Sequence, residues 1–174
     1  REVEELVKEV RRRVREVHER NRRVLEDSER LVREVHKRNE EALRRSEELI
    51  KRVEDMRRRG DLREKDIERI SETNEKLVKE IKDENEEVSR RNEKLVDEVR
   101  RRNEEVLKEL EKLLRDIPDE RAEREIRRLL EEVKKSVEDL TRKARKLSRD
   151  LERSVREVEE RARDLSRRLR EKTR

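Results

Sequence analysis

"VHERNRRVLEDSERLVREVHKRNEEALRRSEEL", Val17 to Leu49, states nearly the same sentence twice: His18 returns as His36, Asn21 as Asn39, Leu25 as Leu43, Ser28 as Ser46 and Leu31 as Leu49. The interval is eighteen residues, which is five turns of an α-helix at about 3.6 residues per turn. A straight helix therefore brings each copied residue back to the same azimuth. A strict heptad would impose a left-handed supercoil and an eleven-residue repeat a right-handed one, so this interval predicts an untwisted helix. With about 100° per residue and Asn21 as zero, Leu31, Val24, Val35, Ser28, Asn21, Val32, Leu25 and His36 fall on one stripe about 140° wide. The rest of the surface is charged.

The same interval governs the remainder of the chain. It relates Ser71 to Ser89, Asn74 to Asn92, Leu77 to Leu95 and Asn85 to Asn103, then Ser136 to Ser154, Ala144 to Ala162 and Leu147 to Leu165. Helical periodicity runs from Val3 to Leu169 and is broken near Gly60 and Pro118, the single Gly and Pro of the sequence. Gly60 suits the left-handed position that ends a helix, and Asp61 followed by Glu64 suggests a capping box. Pro118 suits a first helical turn, with Asp119 and Glu120 at the positive end of the helix dipole. The expectation is one all-α domain over 1–174, an antiparallel up-down-up bundle of three long, straight helices near 1–59, 61–116 and 118–174, each about 80 Å long.

Composition narrows the function. Of 174 residues, 60% are charged and 28% hydrophobic with no aromatics, which would read as disorder without the periodicity. The 55 basic residues stand against 50 acidic ones with alternating signs, and net charge is only +5, so the short "RRR" runs read as solvated helix faces. Pairs such as Glu16/Arg20, Glu26/Arg30 and Glu34/Arg38 stand at the helical spacing that adds about 0.2–0.5 kcal/mol each. A nucleic-acid site would need a one-sign face or stacking aromatics, and both are missing. With no cysteine there is no disulfide or thiolate chemistry. No apolar run approaches the roughly 18 residues of a membrane span, and no signal-peptide pattern opens the chain, which reads as soluble. It starts without Met, as a chain does once a leader or tag has been removed.

The polar residues on the stripes carry the remaining information. All six Asn residues lie near stripe centres, and a buried amide without a partner costs roughly 1–3 kcal/mol. Equal rise along antiparallel neighbours levels residues of the first two helices whose numbers total about 120–121. That places His18 with Asn103, His36 with Asn85, Ser28 with Asn92 and Ser46 with Asn74. About the Pro118 turn it places Ser89 with Ser148 and Ser71 with Ser166, while Asn92 and Asn74 meet Ala144 and Ala162, which leave room for an amide. The first and third helices then run parallel, levelling Asn21 with Ser136 and Asn39 with Ser154. Thr73 and Thr141 find no place in the scheme. A polar pair that matches in one register is unsatisfied in every other, so the layers are expected to specify register and pairing while Val and Leu supply burial energy.

At this point the chain resembles a known class. "VHERNRRVLEDSERLVREVHKRN", copied along ideal helices with minimal capped loops, looks like a de novo designed helical bundle with buried hydrogen-bond networks. Natural three-helix repeats of the spectrin kind keep aromatic core residues and irregular loops, and this sequence has neither. The resemblance implies a structural or assembly role and no evolved activity.

Catalytic and ligand chemistry find no support in the sequence. His18 and His36 are about 27 Å apart along one helix and cannot share a metal ion. Ser28 lies about two turns from His36, with no acidic residue on the stripe to orient the ring and no Gly-rich loop for an oxyanion or phosphate. Lipid binding would place unpaired Asn in the acyl region. No enzyme, cofactor, metal, membrane, nucleic-acid or small-molecule partner is expected. Two roles follow: a self-contained monomeric scaffold, or an assembly module in which the stripes also face other copies or a helical partner. A weaker expectation is a pH response through His18 and His36, because an imidazolium donates but cannot accept.

Overall fold

A computed structural model describes residues 2–174, and among them the chain forms three α-helices and no strand: α1 (Glu2–Arg59), α2 (Glu64–Asp116) and α3 (Glu120–Thr173). Charge follows the helix dipole, with Glu2, Glu4 and Glu5 in the first turn of α1 and Arg57, Arg58 and Arg59 in its last. Burial repeats at the sequence interval: Val133, Leu151 and Leu169 are all buried on α3, as are Asn21 and Asn39 on α1.

Both turns start their next helix later than the sequence suggests. Gly60 has φ 74°, its N–H donates to Arg57 O at 3.2 Å, and the Asp61 N–H donates to Met56 O at 3.0 Å. These are the two bonds of a Schellman motif. Asp61 closes α1, and α2 begins only at Glu64, so Asp61 does not stand at its N-cap. That role passes to Arg63, whose N–H donates to Asp66 Oδ2 at 3.3 Å, one half of a capping box. At the second turn Asp119 is the cap: its Oδ1 accepts from the Arg121 N–H at 3.2 Å and its carbonyl from the Glu123 N–H at 3.0 Å. Pro118 therefore stands one residue before the cap rather than in the first turn.

The contacts gather into two compact units, one of the chain up to Arg30 with Arg91–Ser148, the other of Leu31–Arg90 with Arg149–Arg174. In the first, α1 runs antiparallel to α2, with Arg13 paired to Glu109 and Asn21 to Asn103, and parallel to α3, with Arg11 on Glu125 and Asn21 on Ser136. Its largest apolar cluster packs Val10, Val14 and Val17 against Val106 and Leu110 and against Ile126, Leu130 and Val133; a smaller one joins Val24, Val99 and Leu140.

The second unit repeats the plan. Asn39 meets Asn85 and Ser46 meets Asn74 across antiparallel helices, while Glu47 pairs with Arg161 at 3.2 Å and Lys172 with Glu54 at 3.5 Å across parallel ones. Leu49, Ile50 and Val53 pack on Ile70, Leu77, Leu165 and Leu169, and Val32 and Val35 on Val88 and Leu151. The ion pairs are largely exposed and contribute about 0–1 kcal/mol each, so apolar burial carries the stability.

On the surface, acids choose other neighbours than the sequence spacing proposed. Glu26 pairs with Arg22 at 3.9 Å, Arg30 with Asp27 at 3.8 Å and Glu16 with Arg12 at 3.5 Å. Long solvated side chains have several partners of similar energy within one turn. Arg12 lies between two acids; its hydrogen bond and charge contact with Glu9, and then the charge of Glu16, raise its pKa above the ordinary value.

Candidate functional site

The residue sets with chemistry beyond burial are four polar layers, two kinds each present in two copies eighteen residues apart. In the most complete one, Ser46 Oγ donates to Asn74 Oδ1 at 3.0 Å and Asn74 Nδ2 donates to Ser166 Oγ at 2.9 Å. Ser166 Oγ donates in turn to the Ala162 carbonyl at 2.9 Å. All three helices are tied, and every polar atom of Asn74 that the layer uses is matched. Ala162, levelled with Asn74 by the sequence, is buried as Asn74 is.

The equivalent layer is looser. Asn92 Nδ2 donates to Ser148 Oγ at 3.4 Å, while Ser28 Oγ and Asn92 Oδ1 are buried without a hydrogen-bond partner. The proposed Ser28–Asn92 bond is thus not formed. Ser71 and Ser89 are half-buried and bond to neither Ser166 nor Ser148. Helix axes stand about 8–10 Å apart, which two short hydroxyl arms cannot span. The longer amides of Asn74 and Asn92, three residues on, reach those serines instead.

The other two layers contain a histidine. Asn103 Nδ2 donates to Asn21 Oδ1 at 2.8 Å and Asn21 Nδ2 donates to Ser136 Oγ at 2.9 Å. In the copy, Asn39 Nδ2 donates to Asn85 Oδ1 at 3.0 Å, and Ser154 Oγ meets His36 Nδ1 at 3.1 Å. Neither histidine pairs with the asparagine that equal height assigns it: Asn103 bonds Asn21 rather than His18, and Asn85 bonds Asn39 rather than His36. Asn39 likewise turns to Asn85 instead of Ser154. The reason is handedness. Height along a helix does not say which neighbour an edge of the stripe faces, and the histidine edge of α1 faces α3, where His18 lies beside Arg128, Leu129 and Glu132. Both rings are exposed.

Two features escaped the sequence. The amide-to-amide bonds Asn21–Asn103 and Asn39–Asn85 sit one turn off equal height, a displacement that only its recurrence in both copies could have signalled. Thr73 and Thr141 answer to their own helix, each donating at 2.8 Å to the carbonyl four residues back, Arg69 and Val137 respectively.

Among the described residues no group of three or more His, Cys, Asp or Glu could hold a metal ion, and no helix is long and apolar enough to cross a membrane. What the layers do chemically is match donors to acceptors. The chain matches no protein-family model and no curated protein. Among solved structures it is similar to a "Computationally designed three helix bundle", at 17% identity over 99% of this chain and 84% of that one, with a TM-score of 0.34.

Proposed function

We propose that this chain is a structural scaffold of the de novo designed bundle kind, in which buried Asn, Ser and His layers fix helix register and pairing and no reaction is catalysed. The observation that carries the reading is the Ser46–Asn74–Ser166 layer, where one amide is matched on both sides by hydroxyls from two other helices. Sliding any helix by one turn removes Asn74 from a partner and leaves buried polar atoms bare, at about 1–3 kcal/mol each. Val, Leu and Ile in the same register lose far less specificity on sliding, because apolar contacts are non-directional. In this reading the helices are straight and 1–174 unfolds as one domain, since every helix contributes residues to both units.

Between scaffold and assembly module, the scaffold is favoured by the absence of exposed large hydrophobic side chains among the described residues. A face kept for another copy would show some. The deciding experiment replaces Ser46, Asn74 and Ser166 by Ala, Leu and Ala and follows mass and dispersion by light scattering and sedimentation. The scaffold reading expects a monomeric, single-species parent and a variant of similar or greater denaturant resistance that populates more than one species. A parent of two or more chains supports the assembly reading, and a variant as uniform as the parent refutes the register role.

A further inference from the structure

The two histidine layers are the same quartet displaced by eighteen residues, yet their hydrogen bonds run in opposite directions. In one, the α2 amide donates to the α1 amide, which donates to α3: Asn103 Nδ2 to Asn21 Oδ1 at 2.8 Å, then Asn21 Nδ2 to Ser136 Oγ at 2.9 Å. His18 makes no bond to the serine there. In the other, the α1 amide donates to α2, Asn39 Nδ2 to Asn85 Oδ1 at 3.0 Å, and the serine is occupied by His36 at 3.1 Å.

The unpartnered atoms follow the same logic. A chain running from α2 to α3 has no use for the far oxygen of its α2 asparagine, and Asn103 Oδ1 is the buried atom left bare. A bond running from α1 to α2 has no use for the far nitrogen of its α2 asparagine, and Asn85 Nδ2 is bare. The remaining orphan of these two layers, Asn39 Oδ1, is bare while Ser154 meets the His36 ring.

We propose that histidine and the α1 asparagine compete for the α3 serine, and that the outcome sets the direction of the whole layer. This rests on the register reading above. With the ring on the serine, the α1 amide is left to donate to α2 alone, as Asn39 does to Asn85. With the ring away, the bonds run from the α2 amide through the α1 amide to the serine, as at Asn21. Both arrangements keep the amide-to-amide bond and the helix register. The layer is a two-position element thrown by a surface side chain.

The test uses side-chain amide NMR on the full-length protein, in parent, His36→Ala, Ser154→Ala and His18→Ala forms. In the parent, the Asn39 NH2 protons show cross-peaks to Asn85 and none to Ser154. His36→Ala removes an exposed ring and leaves the fold intact; the Asn39 NH2 then gains a cross-peak to Ser154, the Asn85 NH2 gains one to Asn39, and the signals of Asn21 and Asn103 stay in place. Ser154→Ala leaves the Asn39 amide on Asn85, and His18→Ala moves nothing at Asn21. An Asn39 amide unmoved by His36→Ala, or already on Ser154 in the parent, overturns the proposal and leaves the register reading standing. An absent Asn39–Asn85 contact in the parent overturns both.

Discussion

Cutting the Ser46–Asn74 bond from each side gives the sharpest check on what the layers contribute. Ser46 is 2% exposed and Asn74 5%, so neither end can turn to bulk water. Ser46→Ala removes the donor at 3.0 Å and leaves Asn74 Oδ1 bare. Asn74→Ala removes that acceptor and also the donor to Ser166, but Ser166 keeps its bond to the Ala162 carbonyl at 2.9 Å, so its loss is small. Each single change should cost about 1–3 kcal/mol, mostly the desolvation of the partner left behind. The serine can soften its share by turning to a carbonyl of its own turn, which puts Asn74→Ala nearer the lower end apart from the cavity it opens. In the double variant no orphan of this pair remains. Its cost should fall short of the sum of the singles by about 1–2 kcal/mol. Urea unfolding at a common slope, read for all four proteins of the cycle, measures that shortfall. Additivity within about 0.3–0.5 kcal/mol would mean that the bond is not energetically coupled and that the argument for these layers is unsound.

The equivalent serine should behave oppositely: Ser28 Oγ is buried without a partner, so Ser28→Ala should be neutral or stabilising by up to about 1 kcal/mol in the same urea assay. Gly60→Ala meets nothing within 4 Å, so its expected loss of about 1 kcal/mol is purely the backbone cost of φ 74° and should appear as a lower thermal midpoint with unchanged helicity. Ile126→Ala and Leu110→Ala, both fully buried, should each lower stability by about 2–5 kcal/mol, an effect visible in calorimetry. Arg161→Ala removes an interhelical ion pair whose side chains are 53% and 44% exposed, and denaturant midpoints should move by less than about 1 kcal/mol.

The three helices and the stripe residues were legible because periodicity reports azimuth directly, and azimuth is what burial selects. Asn21, Asn39, Asn74, Asn85, Asn92 and Asn103 are all buried. The partner of each was less legible. Equal height narrows the choice to a level on two helices, and the bond then depends on side-chain reach and on the hand of the three-helix turn. Hence Ser46 with Asn74 and Asn21 with Ser136 could be read from numbers alone, whereas the turn of His36 toward Ser154 could not. Asp61 shows a different limit. Its capping pattern is sound, but Asp61 follows the glycine that closes α1, with its N–H on Met56, and the Arg63–Asp66 pair next along the chain forms the cap instead.

The return of burial at Val133, Leu151 and Leu169 means that length is decoupled from side-chain identity in this architecture. Excising 22–39, 86–103 and 137–154 together would join Asn21, Asn85 and Ser136 to sequence that already follows their copies, with no residue changing its azimuth. Each excision shortens its helix by five whole turns, about 27 Å. The segment is a cassette, and one shorter bundle could be cut from this sequence without redrawing a core position.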